Sequence, residues 1–146
     1  MRLLVISDSH HTPLDLDVSN YDAIFHCGDY GASESYLLKN NINFVKGNCD
    51  SKGDSSLLLY QFGKRIFVTH GHIENVKYGL DCLVYKALEK KADFCFFGHT
   101  HQVTCFQEEN VFFINPGAYP ESYVEITEDK ILIYKKKTVH PISYRW

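Results

Sequence analysis

The chain has 146 residues, of which 45% are hydrophobic and 14% aromatic, so it is long enough for one compact domain over residues 1–146 and too apolar for a disordered chain. Its 15 Lys and Arg residues against 18 Asp and Glu give a net charge of -3. That balance provides no general attraction for nucleic acid or an anionic membrane, and we expect neither as a partner.

Cysteine spacing and the N-terminus bear on location. The five cysteines are odd in number and form no C-x-x-C pair, which favours reduced thiols and a cytoplasmic protein. The apolar run after Arg2 is too short for a signal-peptide core. No apolar stretch approaches the roughly 20 residues of a membrane span, so we expect no membrane anchor.

Six short runs of apolar, β-branched or aromatic residues predict strands, at Leu3-Ile6, Ala23-Phe25, Phe44-Val45, Ile66-Val68, Phe94-Phe97 and Val111-Ile114. A short helix is predicted across Ser33-Asn40, with Ser33 as its N-cap. A longer amphipathic helix ends at Glu89-Lys90-Lys91, and its apolar face consists of Val76, Leu80, Leu83, Val84, Ala87 and Leu88. The segment from His11 to Tyr21 supports no prediction.

The second half of the chain adds hairpin strands at Leu57-Phe62, Val103-Gln107, Tyr123-Ile126 and Ile131-Tyr134. Strand-helix alternation followed by hairpins predicts a sheet-rich α/β domain with its helices outside. The run Lys135-Lys137 could bind phosphate, but lysines that end such a strand are more often a solvated edge.

Polar motifs follow the strands closely: Asp8-Ser9-His10, Gly28-Asp29, Gly47-Asn48-Cys49-Asp50, His70-Gly71-His72 and Gly98-His99-Thr100-His101. Each motif alone is weak, because a histidine beside a strand is more often a hydrogen-bonded structural residue than a ligand. Together they matter, since strand ends in open α/β sheets are where ligands bind. We therefore expect these side chains to meet on one rim.

Such a rim would hold two carboxylates, one amide and four imidazoles, whose desolvation needs compensation by divalent cations. The predicted metal ligands are Asp8, His10, Asp29, Asn48, His70, His99 and His101. Seven ligands suit two ions that share a carboxylate, for which we choose Asp29. Nitrogen and oxygen ligands favour Mn, Fe, Ni or Zn, with Mn as the first candidate. His11, His26 and His140 match no motif and are taken as non-ligands.

The order of these motifs, followed by Asn115-Pro116-Gly117, resembles the calcineurin-like metallophosphoesterases, and most closely the small YfcE-like phosphodiesterases. The resemblance runs from Asp8 to about Gly117. It implies a four-layer α-β-β-α sandwich of two mixed sheets. It also implies that Asp8, His10, Asp29 and His101 hold one metal, and that Asp29, Asn48, His70 and His99 hold the other.

One departure concerns the position after Asn48, where most of the superfamily has a histidine and this chain has Cys49. The YfcE-like branch resembles this chain in that cysteine. His72 is the candidate catalytic substitute, as a phosphate ligand or proton donor, and a histidine that orients a metal ligand is an equal alternative. Cys49, Asp50 and Asn115 are candidates for contact with the substrate or with the ligands.

The expected activity is hydrolysis of a small phosphoester by water activated between the two metals. A diester is favoured because the chain has only three arginines, Arg2, Arg65 and Arg145, and a dianionic monoester usually gains from an arginine fork. Two alternatives remain: a phosphomonoesterase or nucleotidase, and a silent scaffold of the kind found in the similar retromer subunit. Tyr119, Tyr123, Tyr144 and Trp146 could form a homo-oligomer interface, although packing on the sheet is favoured.

Overall fold

The structure, a computed structural model, describes residues 1–136 and 141–146. Two mixed β-sheets, two α-helices and one short 3-10 helix at Val18–Asn20 are its regular elements. The predicted non-ligand His140 and the last lysine of the predicted run, Lys137, lie outside the described residues.

The first sheet has six strands in the order β11-β10-β9-β1-β2-β3. Its strands are β1 (Leu3–Ile6), β2 (Ala23–His26), β3 (Asn43–Phe44), β9 (Ser122–Ile126), β10 (Lys130–Lys135) and β11 (Ile142–Arg145). β1, β2 and β3 run parallel, and β9, β10 and β11 continue the sheet as antiparallel neighbours. The carboxyl ends of three strands therefore meet at one edge.

The second sheet has five strands in the order β4-β5-β6-β8-β7. Its strands are β4 (Ser56–Gln61), β5 (Lys64–Thr69), β6 (Phe94–Phe96), β7 (Thr104–Glu108) and β8 (Val111–Asn115). β5, β6 and β8 are parallel, while β4 and β7 pair antiparallel as the outer arms of hairpins. The tight β4-β5 turn has both Phe62 and Gly63 at positive φ, as a two-residue hairpin requires.

Three apolar clusters separate four layers. The largest lies between the sheets and includes Phe25, Val68 and Phe96 at 0% exposure. A second packs α2 (Asp81–Glu89) on the outer face of the second sheet, and a third packs α1 (Glu34–Lys39) and the segment before β2 on the first sheet. The four-layer α-β-β-α sandwich of two mixed sheets is thereby confirmed.

The long helix is shorter than predicted. α2 begins at Asp81, and Val76 lies in an irregular segment before it, although Val76 is buried in the same cluster as Leu83. Because Val76 is buried from a loop at helical spacing, the sequence pattern predicted an extra helical turn that does not form. α1 follows Ser33 as predicted, but the Ser33 side chain makes no capping hydrogen bond.

Most of the C-terminal aromatic residues pack within the fold, with Trp146 against the cluster between the two sheets. The Trp146 ring lies 5.0 Å from that of Phe94, and its Nε1 donates to the Thr127 carbonyl at 3.0 Å. Tyr123 stacks on Tyr134 at 4.8 Å, whereas Tyr144 is exposed. Across the described ranges, no helix is both long and apolar enough to cross a bilayer.

Candidate metal centre

The seven predicted ligands lie at the carboxyl ends of parallel strands from both sheets. Asp8 and His10 follow β1, Asp29 follows β2, and Asn48 follows β3. The second sheet contributes the rest: His70 follows β5 directly, and the turn with His99 and His101 follows β6. The structure brings together side chains that are up to 93 positions apart in the chain.

The first group of possible ligand atoms comes from Asp8, His10 and His101. The Nε2 atoms of the two histidines are 3.2 Å apart. Oδ1 of Asp8 lies 3.3 Å from Nε2 of His101 and 3.9 Å from Nε2 of His10. Three lone-pair-bearing atoms thus point at one small volume, as they do around a bound cation.

The second group comes from Asp29, His70 and His99. Nε2 of His70 is 3.3 Å from Oδ2 of Asp29 and 3.2 Å from Nδ1 of His99. Asn48 joins them, because its Oδ1 lies 3.1 Å from the same Nε2 of His70. This group therefore offers one carboxylate, one amide oxygen and two imidazoles.

Asp29 lies between the two groups. Its Oδ2 is 3.3 Å from His70 in one group and 3.9 Å from His10 in the other. Its Oδ1 accepts a hydrogen bond of 3.0 Å from the Cys49 backbone N–H, which fixes the plane of the carboxylate. A carboxylate so placed fits the bridging position between two ions.

Five of the seven predicted ligand residues have left-handed backbone conformations. Asp8, His10, Asp29, His99 and His101 have φ values between 45° and 74°. Such conformations are uncommon for residues other than glycine and cluster at functional sites, where the surrounding structure must stabilise them. These conformations occur where the chain turns directly after the strands that precede the predicted ligands.

A buried atom without a partner tests whether these residues fit divalent metal ions. Asp8 is 2% exposed, and its Oδ1 has no hydrogen-bond partner among the described residues. Its Oδ2 is fully used, since it accepts from Ser7 Oγ at 2.6 Å and from the His99 N–H at 3.0 Å. A buried carboxylate oxygen facing histidine nitrogens is costly without a cation, so the donor set fits a metal.

Hydrogen bonding sets the protonation of His70. Its Nδ1 lies 2.8 Å from the Cys27 carbonyl, which only accepts, so Nδ1 carries the hydrogen and Nε2 faces the site. Burial lowers the pKa of His70, but its hydrogen bond to Asp29 and the nearby charge of Asp8 raise that pKa overall. For Asp29, burial alone would raise the pKa. The hydrogen bonds from His70 and Cys49 outweigh burial and hold the Asp29 pKa below its usual range.

Asp50 and Asn115 support the ligand turns from behind. The Asp50 carboxylate accepts from the backbone N–H groups of Asp29 and Gly47, both at 2.7 Å. Asn115 is fully buried and donates to the Gly98 carbonyl at 3.1 Å and to Thr100 Oγ1 at 2.9 Å. Both residues therefore contact the turns that carry ligands.

The sequence interpretation assigned no role to three residues that support these turns. Ser7 donates to Asp8 and is fully buried; its place directly before the first motif was the only signal. Gly47 and Gly98 pass so close to ligands that an added Cβ would meet Asp29 Oδ1 at Gly47 and Asp8 Oδ2 at Gly98. Glycine before a ligand motif therefore has a steric reason here.

His72 and Cys49 lie at the border of the cluster. The His72 ring is 5.3 Å from that of His70 and 6.1 Å from that of His99, and its Nδ1 is buried without a hydrogen-bond partner in the described part of the chain. Burial, followed by the charge of His70, lowers the pKa of His72. Cys49 is exposed, and slight desolvation of its thiol, followed by the charges of Asp29 and Asp50, raises the Cys49 pKa.

Two further histidines lie outside both ligand groups. His26 is fully buried behind the rim, where Nε2 lies 2.9 Å from Ser9 Oγ and Nδ1 accepts from the Gly28 N–H at 3.0 Å. His11 is exposed.

Comparisons with known proteins agree with this geometry. The family model of the calcineurin-like phosphoesterase superfamily domain matches residues 1–137. The probable metallophosphoesterase YsnB of Bacillus subtilis (strain 168) is 34% identical over 141 residues, covering 91% of this chain and 83% of that protein. Phosphodiesterase YfcE of Escherichia coli (strain K12) is 31% identical over 106 residues, or 61% of this chain and 54% of that protein.

Solved structures share the fold over the whole chain. A predicted phosphoesterase from Streptococcus pneumoniae TIGR4 superposes with a TM-score of 0.83 at 25% identity, covering 99% of this chain and 97% of that one. Wild-type Vps29 of Entamoeba histolytica, solved with Zn²⁺, has a TM-score of 0.76 at 19% identity and covers 100% and 98%. The chain therefore belongs to the calcineurin-like phosphoesterase superfamily and is a metal-dependent phosphoesterase.

Proposed function

We propose that the chain is a two-metal phosphodiesterase that hydrolyses a small phosphodiester. The observation that carries the proposal is the pair of ligand groups, Asp8-His10-His101 and Asp29-His70-His99, each with its ligand atoms within 4.8 Å of one another. Asn48 completes the second group, and Asp29 is the shared ligand. Two divalent ions held there would polarise the phosphoryl oxygens and activate a water for attack.

The chain's own residues have distinct parts in this proposal. Asp8 and Asp29 provide the negative charge that holds the ions, and the Ser7, Cys49 and His99 donors keep those carboxylates oriented. His72 contacts the substrate. Its lowered pKa leaves the imidazole neutral near pH 7, so its N–H donates a hydrogen bond to a phosphoryl oxygen or to the leaving oxygen.

The preference for a diester is supported by the positions of the three arginines. Arg2 directly precedes β1, Arg65 is the second residue of β5, and Arg145 pairs with Lys130 at the start of β10. These positions lie at the end of the sheets opposite the ligand rim. No guanidinium is therefore available there to form the bidentate contact that a dianionic monoester favours.

The metal and the setting are part of the same proposal. Imidazole, carboxylate and amide ligands favour Mn, with Ni, Fe or Zn as alternatives. We take residues 1–146 as one catalytic domain. All five cysteines are free, which suits a protein that works in the reducing cytoplasm. A homo-oligomer through exposed Tyr144 and its surroundings is a further proposal.

A silent scaffold is the second candidate, favoured only by the likeness of fold to Vps29, which at 19% identity carries no function. Against it, each of the seven ligand positions keeps a metal-binding side chain. A monoesterase or nucleotidase would use the same two ions, and only the choice of ester separates it from the main proposal.

The test is hydrolysis of bis(p-nitrophenyl) phosphate and p-nitrophenyl phosphate by metal-stripped protein to which Mn, Ni, Zn or Mg is restored. We expect metal-dependent turnover, faster on the diester, and loss of at least 100-fold in Asp29→Asn, because the bridging ligand is gone. Faster turnover of the monoester would replace diesterase by monoesterase. Metal binding without turnover of either ester would favour the scaffold.

A further inference from the structure

A buried carboxylate lies beside the ligand rim but outside both ligand groups. Glu74 is 2% exposed and belongs to the segment between β5 and α2. Its Oε1 accepts a hydrogen bond from Thr69 Oγ1 at 2.9 Å, and its Oε2 forms an ion pair with Lys86 Nζ at 2.6 Å. Both oxygens of the carboxylate are therefore engaged.

The partners of Glu74 define what it holds together. Thr69 is the last residue of β5, immediately before the ligand His70, and Lys86 lies on α2. Glu74 thus ties the turn that contains His72 to the strand on one side and to the helix on the other. Backbone bonds complete this turn, from Asn75 N–H to the His72 carbonyl at 3.3 Å and from Val76 N–H to the Gly71 carbonyl at 3.2 Å.

Stability alone does not account for this ion pair. The Lys86 side chain is 38% exposed, so solvent screens its charge and the ion pair is a poor source of stability, while burial of the Glu74 carboxylate costs desolvation energy. The hydrogen bond to Glu74 raises the pKa of Lys86, so the ammonium stays charged. What a doubly bonded carboxylate provides, and an apolar side chain does not, is one fixed geometry.

His72 is the neighbouring side chain whose orientation requires support from the Glu74 turn. His70 is already oriented by the Cys27 carbonyl at 2.8 Å, independently of Glu74. The His72 ring has no such bond at Nδ1 within the described residues, so its position depends on its backbone turn.

We propose that Glu74 is a positioning residue, which fixes the His72 turn through Thr69 and Lys86 so that the imidazole faces the substrate. The contact between His72 and the substrate rests on the proposed function. The effect of Glu74 on the position of His72 is independent of that function.

The test compares Glu74→Gln with Glu125→Gln in the metal-loaded protein. Glu125 is an apt control because it is also a buried carboxylate, 4% exposed, bonded to Arg2 at 3.1 Å and to Tyr21, but on the first sheet and away from the rim. Three quantities are measured in each: the thermal midpoint, the affinity for Mn by calorimetry, and the His72 imidazole resonances as inorganic phosphate is added, in a diamagnetic Zn-loaded sample.

We expect both variants to lose thermal stability, and only Glu74→Gln to lose the phosphate response of His72. Metal affinity in Glu74→Gln should stay within threefold of wild type, while kcat/KM for the diester falls at least tenfold. Lys86→Arg, which keeps the ion pair, should retain the wild-type His72 response, and Lys86→Met should lose it. This second pair of variants decides the question if Glu74→Gln does not fold.

An unchanged phosphate response in Glu74→Gln or in Lys86→Met would overturn the inference. So would a loss of metal affinity in step with the loss of stability, since that would make Glu74 a structural support of the whole rim. If the wild-type protein hydrolyses no ester, the proposed function fails. The His72 resonances without phosphate then still decide whether Glu74 positions the ring.

Discussion

Nε2 of His70 lies 3.3 Å from Oδ2 of Asp29, although the two residues follow strands of different sheets. The contact joins the sheets at the rim, and the Nδ1 bond of His70 to the Cys27 carbonyl adds a second link at the same place. Against the effect of burial on each group, Asp29 raises the pKa of His70 and His70 lowers the pKa of Asp29. When no metal is bound, the contact is therefore an ion pair at pH values between the lowered pKa of Asp29 and the raised pKa of His70.

This ion pair predicts proton-coupled metal binding. A metal must displace the proton from His70, so affinity should fall as the pH decreases through the raised His70 pKa, by up to about tenfold per pH unit for each proton displaced. Calorimetric titration of the stripped protein with Mn between pH 8 and pH 6, in two buffers of different ionisation enthalpy, measures this. The exposed His11→Gln variant should release the same number of protons, and pH-independent affinity would refute the ion pair.

Removal of the Ser7 hydroxyl should weaken the metal site without unfolding the protein. Ser7→Ala deletes the 2.6 Å bond that orients the Asp8 carboxylate. Partners that orient metal ligands typically change metal affinity or activity by about 10- to 100-fold, so a loss of about tenfold in Mn affinity is expected. Ser19→Ala, which removes an exposed hydroxyl bonded to Asp17, is the control and should bind Mn normally. Equal affinities in both variants would show that Ser7 does not orient Asp8.

Gly47 should not tolerate a side chain. A Cβ at this position would lie 2.5 Å from the Asp29 backbone nitrogen and would also meet its Oδ1, so the Asp29 carboxylate must move. Gly47→Ala is expected to abolish binding of at least one metal ion. Gly63→Ala in the β4-β5 turn has free space but a φ of 71°, so it should cost only about 1 kcal/mol of stability and leave metal binding intact. Metal titration and thermal unfolding of both variants check this, and full occupancy in Gly47→Ala would be the contrary result.

His26 should make the metal-free protein sensitive to acid. Burial, then the charge of His70, lowers the pKa of His26 to about 3, so between roughly pH 6.5 and 3 the unfolded chain binds a proton that the native protein excludes. The free energy of unfolding should therefore fall by about 1.4 kcal/mol per pH unit below pH 6.5 from this group.

Urea unfolding at pH 7, 6 and 5 tests this effect. His26→Gln should be less stable at pH 7, because the bonds to Ser9 and Gly28 are disturbed, and its stability should depend less steeply on pH. Identical slopes in the two proteins would mean that His26 is not the group excluded from protonation.

Much of the fold could be predicted from the sequence, because the buried strands are short apolar runs with polar turns between them. β1 has the predicted bounds, and the hairpins β4-β5, β7-β8 and β9-β10 all form. β11 was missed because all four of its residues are exposed, so its only mark is the pairing with β10, which no local pattern reveals.

The candidate site, like the fold, could be predicted from the sequence only in part. The candidate ligands and their places after strands could be read from the motifs, since metal ligands need particular side chains. The left-handed turns at Asp8 and His99 and the support of Glu74 could not, because they depend on contacts between segments far apart in the chain. Residues that orient others, such as Ser7, are common types whose role appears only when the partner is in place.

The central claim, that the rim works with two ions, is tested most directly by following diester hydrolysis as Mn is added stepwise to the stripped protein. With tight binding, the account predicts little turnover up to one equivalent, a steep rise towards two equivalents, and no further increase. Full activity at one equivalent, or two bound ions without hydrolysis of any phosphoester, would contradict it.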